Sequence, residues 1–257
     1  MRKIELMTFL KWAFGEELIH LSERGVGNLA SSHAAMLGYA SLGAKVDTSS
    51  FGQVGLNGVH PDALALNDAV MLLAAEKFDL PEGWNPFPDL DDPHGLIAST
   101  VEEVLARRRM RDNATLNANM IALVISCSIM GKEPEWRVAQ PKFRMIARKG
   151  EPSWFVKSSQ TDTFGRVYEF ESDGFDPKSR RPKPGAYRKY ELSSSFAGAV
   201  QGRVDWYLWS KAIGRVAERL KTGLVAHQIT PFVIDCEIWK NVSGVLPSSE
   251  VLEMAEE

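Results

Sequence analysis

Phe143-Arg144-Met145-Ile146-Ala147-Arg148-Lys149 opens the stretch that decides the fold. There the hydrophobic pattern shifts to period two, and it stays so over 153–160, 166–172 and 186–192. Alternation of this kind, rich in aromatic and β-branched residues, predicts strands. Gly150-Glu151-Pro152 and Asp162-Thr163-Phe164-Gly165 supply turns, and Asp173 to Gly185, rich in Pro, Lys and Arg, joins the last two strands.

Working outward, the rest reads as helix. Residues 4–22 place Leu6, Leu10, Ala13, Phe14, Leu18 and Leu21 on one face, and Gly25 and Gly27 end the run. Residues 32–42 form a short helix stopped by Gly43, and 48–58 read as loop. Pro61 opens a helix to Ala75 with His60 placed to cap it. Another runs from Ile97 to Arg111, its cationic end favourable against the helix dipole. Asn113 is placed to cap 114–130, whose second half is apolar nearly all round, so Met120, Leu123, Val124 and Cys127 are expected in the core. Residues 196–221 carry Trp206, Trp209, Ile213, Val216 and Leu220 on one stripe, and Glu250–Glu257 reads as a frayed end.

The fold class is therefore α+β, with a central antiparallel sheet of about four strands and a long C-terminal helix. Residues 81–95, rich in Pro and Asp, read as an ordered linker held by Trp84 and Phe87. It divides an N-terminal helical region, 1–80, from an α+β domain, 96–257.

Two cysteines, Cys127 and Cys236, lie far apart, and no CxxC occurs. The apolar run Met120–Met130 is too short to span a bilayer, and the N-terminus lacks a signal-type apolar segment. A reducing cytoplasm is expected, and no membrane partner.

The chemistry is sparse. No P-loop, dinucleotide fingerprint, HExxH or GxSxG is present. Asp89, Asp91, Asp92 and His94 are ligand types, but their spacing fits no metal motif and reads as a helix-entry turn. His20, His33 and His227 have no Cys or Asp partner at a telling separation. No metal, cofactor or catalytic residue is expected, and enzyme is the weakest class.

Charge is segregated. Residues 107–192 hold 18 Lys and Arg against 10 Asp and Glu, whereas residues 1–106 hold 6 against 15. Such halves could pack on each other or offer a basic face to a polyanion. Candidate nucleic-acid contacts are the run Arg107, Arg108, Arg109 and Arg111, and the Pro-rich loop and strand bearing Lys178, Arg180, Arg181, Lys183, Tyr187, Arg188 and Lys189. Tyr187, Tyr190, Trp154 and Phe155 are the expected stacking platforms.

The runs Trp84-Asn85-Pro86-Phe87-Pro88, Asp92-Pro93-His94-Gly95-Leu96-Ile97, and Asp173-Gly174-Phe175 through Tyr190-Glu191-Leu192 resemble uncharacterised proteins of alphaproteobacterial phages and prophages, over most of the chain. The resemblance implies a phage context: genome packaging, regulation or host takeover. It transfers no catalytic residues. The expectation is a non-enzymatic, phage-type protein in the host cytoplasm that binds DNA or a DNA-processing partner. The alternative is an assembly protein, with a phage or host protein as partner and no nucleic acid.

Overall fold

The computed structural model describes residues 1–19, 59–148, 150–241 and 245–246. The expected helix 32–42, the glycines at 25 and 27, the loop 48–58, the frayed end, His20 and His33 lie outside the described residues.

Strand β1 (Arg2–Ile4) leads into helix α1 (Leu6–Trp12), which widens into a π-turn over Ala13–Glu17 and buries Leu6, Phe9, Leu10, Ala13 and Phe14. Helix α2 (Pro61–Met71) tightens to 3₁₀ over Leu72–Ala75. His60 Nδ1 accepts from the Asp62 N–H at 3.0 Å, the cap expected of it.

Helix α3 (Leu96–Arg109) follows Gly95, which sits at φ 68. The Asp92 carboxylate caps this helix, accepting from the N–H groups of Leu96 (2.8 Å) and Ala98 (2.9 Å), so the acidic segment is a helix-entry turn. Helix α4 (Asn113–Met130) is capped by Asp112 rather than Asn113, with Thr115 N–H donating at 2.6 Å. It ends at left-handed Gly131, where Lys132 N–H reaches the Cys127 carbonyl.

Helix α4 is long and apolar enough to cross a membrane by length and composition, with mean hydropathy 1.3 over 18 residues. It packs against α1, the 3₁₀ turn after α2 and the long helix over Ala197–Arg219. Met120, Val124 and Cys127 are buried, but Leu123 is only half-buried, because the helix turns just one face to the core. Burial pushes the Cys127 thiol up to about 11, with Asp205 and Glu133 adding to it, so it packs as a small hydrophobe.

The sheet differs from expectation. In place of a four-stranded sheet, the described strands form two-stranded pairs. They are β2 (Val138–Ala139), β3 (Phe143–Met145), β4 (Ala147–Arg148), β5 (Glu151–Pro152), β6 (Phe155–Thr161), β7 (Val167–Asp173), β8 (Phe175–Asp176), β9 (Arg181–Pro182) and β10 (Tyr190–Leu192). Antiparallel pairs join β3 to β10, β4 to β5, β6 to β7 and β8 to β9. Pro152 and Pro182 sit inside the short strands, and a residue without an N–H cannot extend a ladder sideways. The chain before β10 crosses to the edge of β6, where Phe155 and Tyr187 exchange backbone bonds of 2.9 and 2.8 Å.

Helix α5 (Ala197–Arg219) is the true centre, with Val200, Val204, Trp206, Leu208, Trp209, Ile213 and Val216 buried. Strand β11 (His227–Ile229) then pairs in parallel with β1, and β12 (Val245–Leu246) with β2. One continuous hydrophobic cluster runs from Leu6 to Trp239 and takes in Trp84, Phe87 and Leu90 of the Pro/Asp-rich segment.

Candidate nucleic-acid interface

Strands β6 and β7, of seven residues each, form a hairpin, its turn held by Asp162 Oδ1, which accepts from the N–H groups of Phe164 and Arg166 at 2.8 Å. Residues paired across the ladder share a face. One face carries Lys157 with Glu171 and Ser159 with Glu169; the other carries Val156, Ser158, Gln160, Tyr168, Phe170 and Ser172. A hairpin with one face on a core exposes only the other. Here both faces are largely open, and Tyr168 (47%), Phe170 (40%) and, at the tip, Phe164 (83%) stand in solvent. The hairpin is an arm.

The arm continues into β8 and β9. The junction is Gly174, whose N–H donates to the Trp154 carbonyl at 2.9 Å. A Cβ on Gly174 would lie 2.8 Å from the Phe155 backbone, so Gly174→Ala must push the junction away from the start of β6. We expect that variant to lose about 1–3 kcal/mol of stability. Thermal melting checks it.

Between β8 and β9 the chain is cationic. The Asp176 carboxylate accepts from Ser179 Oγ (2.8 Å) and Lys178 N–H (3.0 Å), bonds that hold it below the usual carboxylate range. Arg180 adopts φ 54. Lys183 Nζ donates to the Asp173 carbonyl at 2.7 Å. Arg180 and Arg181 are exposed, and neither side chain has a hydrogen bond or ion pair among the described residues.

Lys178 is exposed as well, whereas the expected contacts nearer β10, Tyr187, Arg188 and Lys189, are engaged within the protein. Lys189 Nζ and the Tyr187 hydroxyl both bond the Glu171 carboxylate. Those bonds lower Glu171, the Lys189 bond most, and Glu171 in turn raises Tyr187. The Arg188 guanidinium lies 3.8 Å over the Trp154 ring and bonds the Pro152 carbonyl. Tyr190 stacks on His94 at 3.8 Å. Thus the expected platforms Trp154, Tyr187 and Tyr190 already have partners, and Phe155 lies beneath Lys189 Nζ at 5.3 Å. The open aromatics are Phe164, Tyr168, Phe170 and, beside the cationic turn, Phe175 (38%). Their signal was legible in principle: Tyr168 and Phe170 alternate with Glu169 and Glu171, a strand with charge on the face opposite its aromatics.

The arginine run lies at the C-terminal end of α3, where Arg107 lines a shallow depression with Leu192 and Ser193, just after β10. Arg107 pairs with Glu103 one turn back, whereas Arg108, Arg109 and Arg111 line a cleft.

One cluster joins residues far apart in sequence. Asp62 is fully buried and accepts from the N–H groups of Val225 (2.6 Å), Ala226 (3.0 Å) and His227 (2.9 Å). His227 Nδ1 adds a fourth donor at 2.9 Å. So His227 does have an Asp partner, contrary to expectation, but it lies 165 residues away. Burial alone would raise Asp62; the bonds from Val225, the His227 ring, Ala226 and the His227 N–H outweigh it and lower it to about 2. His60, Asp62 and His227 bring one ligand atom each within 4.8 Å of one another, a set of the type that holds transition metals. Both Nδ1 atoms and Asp62 Oδ2 are engaged in protein hydrogen bonds, and these bonds clamp residues 225–227 to the start of α2.

No family model, no curated protein and no solved structure matches this chain.

Proposed function

We propose that this is a non-enzymatic, phage-type protein of the host cytoplasm that binds nucleic acid through the β6–β9 arm, with single strands preferred. The observation that carries the reading is the juxtaposition on one arm of unpaired, exposed Arg180 and Arg181 with exposed Phe175, Phe170, Tyr168 and Phe164. Cations neutralise phosphates without regard to sequence, and aromatic faces accept any unstacked base. A duplex hides its base faces, so the aromatics have a use only on a single strand.

The test is fluorescence anisotropy with labelled single-stranded and duplex oligonucleotides from about 50 mM salt upward. Replacing Arg180, Arg181 and Lys183 together by alanine should weaken both and flatten the salt slope, by about two for single strands and about three for duplex. Phe170→Ala should cost roughly 1–3 kcal/mol with single strands and almost nothing with duplex. Tyr187→Ala is the control that should matter little, since its hydroxyl is tied to Glu171. An absence of binding at low salt sinks the reading and leaves the assembly-protein alternative, whose partner would be a protein held through the same aromatics.

A further inference from the structure

A second cationic site is built into the body of the protein. Between the segment Lys77–Asp92 and one face of α3 lies a cleft of about 1180 Å³. Ligand sites typically run roughly 300–1,000 Å³, so a whole small molecule fits with room for water. Its walls include Phe78, Trp84 and Leu105, and Arg108, Arg109 and Arg111 gather at the end where α3 stops. Carboxylates line it too: Asp79 is paired with Lys77 and Asp92 caps α3, while Glu82 and Glu102 are exposed. Exposed arginines in a last turn are ordinary, since they complement the helix dipole. Arg108 is not so explained. It is half-buried, yet its guanidinium makes no hydrogen bond and no ion pair among the described residues. Its countercharge at longer range is Asp205, a carboxyl that burial itself raises. Arg111 stands close enough to repel it, and burial pulls Arg108 below its ordinary value. Arg109 and Arg111 likewise lack ion pairs among the described residues.

Three guanidinium groups at one end of the cleft, none of them in a direct ion pair among the described residues, suit one ligand chemistry best. A carboxylate is satisfied by a single bidentate fork, whereas a terminal phosphate offers three oxygens and two negative charges. The aromatic and aliphatic walls ask for a flat or apolar body attached to that phosphate. We propose that the cleft binds a nucleoside 5′-phosphate, with the phosphate on Arg108, Arg109 and Arg111 and the base in the slot beside Phe78, Trp84 and Leu105. The phosphate's source is a free nucleotide or the 5′ end of a strand. The site goes beyond the arm and does not depend on it, because a mononucleotide need not touch the loop at Arg180.

The experiment uses the full chain and follows tryptophan fluorescence, with Trp84 in the cleft wall as reporter. The probes are each deoxynucleoside 5′-monophosphate, inorganic phosphate, and a short oligonucleotide with and without a 5′-phosphate. Saturable binding of monophosphates is expected, weakened about tenfold or more in Arg108→Met and in Arg111→Ala, as befits loss of a charge-assisted bond. The variant lacking Arg180, Arg181 and Lys183 should bind monophosphates unchanged, even if it has lost strands. In that variant, a preference for the 5′-phosphorylated oligonucleotide identifies the strand end as the source; binding of monophosphates alone identifies the free nucleotide. Arg111 is exposed, so its variant keeps the test valid should Arg108→Met fold poorly. No binding of monophosphates, equal binding of inorganic phosphate, or indifference to both arginine variants overturns the proposal.

Discussion

Asp89→Ala should be among the most destabilising single changes in the protein, costing about 3–5 kcal/mol, because it leaves a guanidinium buried with no countercharge. Arg203 is 0% exposed in the middle of α5. Asp89 holds it bidentately, Oδ1 to Nη1 at 2.5 Å and Oδ2 to Nη2 at 2.7 Å. Nε donates to the carbonyl of Trp136 (3.1 Å) and Nη1 also to that of Pro86 (2.6 Å), and the rings of Phe87 and Trp239 lie at 4.6 and 5.0 Å from the guanidinium carbon. Four of the five N–H donors are thus engaged, two of them on Asp89, and removing the carboxylate leaves no other anion beside the cation. In a chain of this size each kcal/mol moves the melting temperature by about 2–4 °C, so a fall of roughly 10 °C is expected. The double variant Asp89→Leu with Arg203→Met should recover much of the loss, since a buried ion pair often does no better than apolar residues of like volume. If Asp89→Ala melts within about 2 °C of the parent, the ion pair is not formed in solution.

That ion pair shows where legibility in the sequence stopped. Helices α3 to α5 and the hairpin β6–β7 came within a residue or two of their sequence ranges, and α2 reaches the expected Ala75 only through its 3₁₀ turn; each is governed by local periodicity and local caps such as His60 and Gly131. The sheet was misjudged because pairing is a relation between segments. The period-two pattern located the strands, but it could not show that Pro152 and Pro182 would break them into pairs or that the arm would stand clear of the core. The candidate loop residues at 178–183 lie exposed, since a run of Pro, Lys and Arg has no apolar side to bury. Tyr187, Arg188 and Lys189 were harder to place, because their partners Glu171, Trp154 and Pro152 arrive by cross-strand register. Asp89 with Arg203 and Asp62 with His227 are separated by more than a hundred residues, and no spacing rule connects them.

Asp62→Asn is the sharper probe of the second such pair, because it changes almost no volume. The carboxylate gathers three backbone N–H groups and the His227 imidazole at the start of β11. That strand holds β1 in parallel, and Arg2 N–H bonds the Ala226 carbonyl at 2.7 Å beside the clamp. An amide in place of the carboxylate sets a donor against donors or leaves N–H groups unpaired, at a cost of about 2–4 kcal/mol. Hydrogen exchange should then rise first at Arg2 and Thr230, whose N–H groups bond the Ala226 and Ile4 carbonyls across the β1–β11 pair, before the rest of the core is affected. The pH dependence has a fixed sign. Asp62 is lowered in the fold to about 2 from an ordinary 3.8, so its contribution is fully present above the unfolded value and is lost as pH falls through the folded one. The stability gap between parent and Asp62→Asn should therefore be flat from neutrality down to about pH 4 and narrow from there towards about 2. A gap that stays constant to the acid limit would mean that the carboxylate charge does nothing and that the clamp works by shape alone.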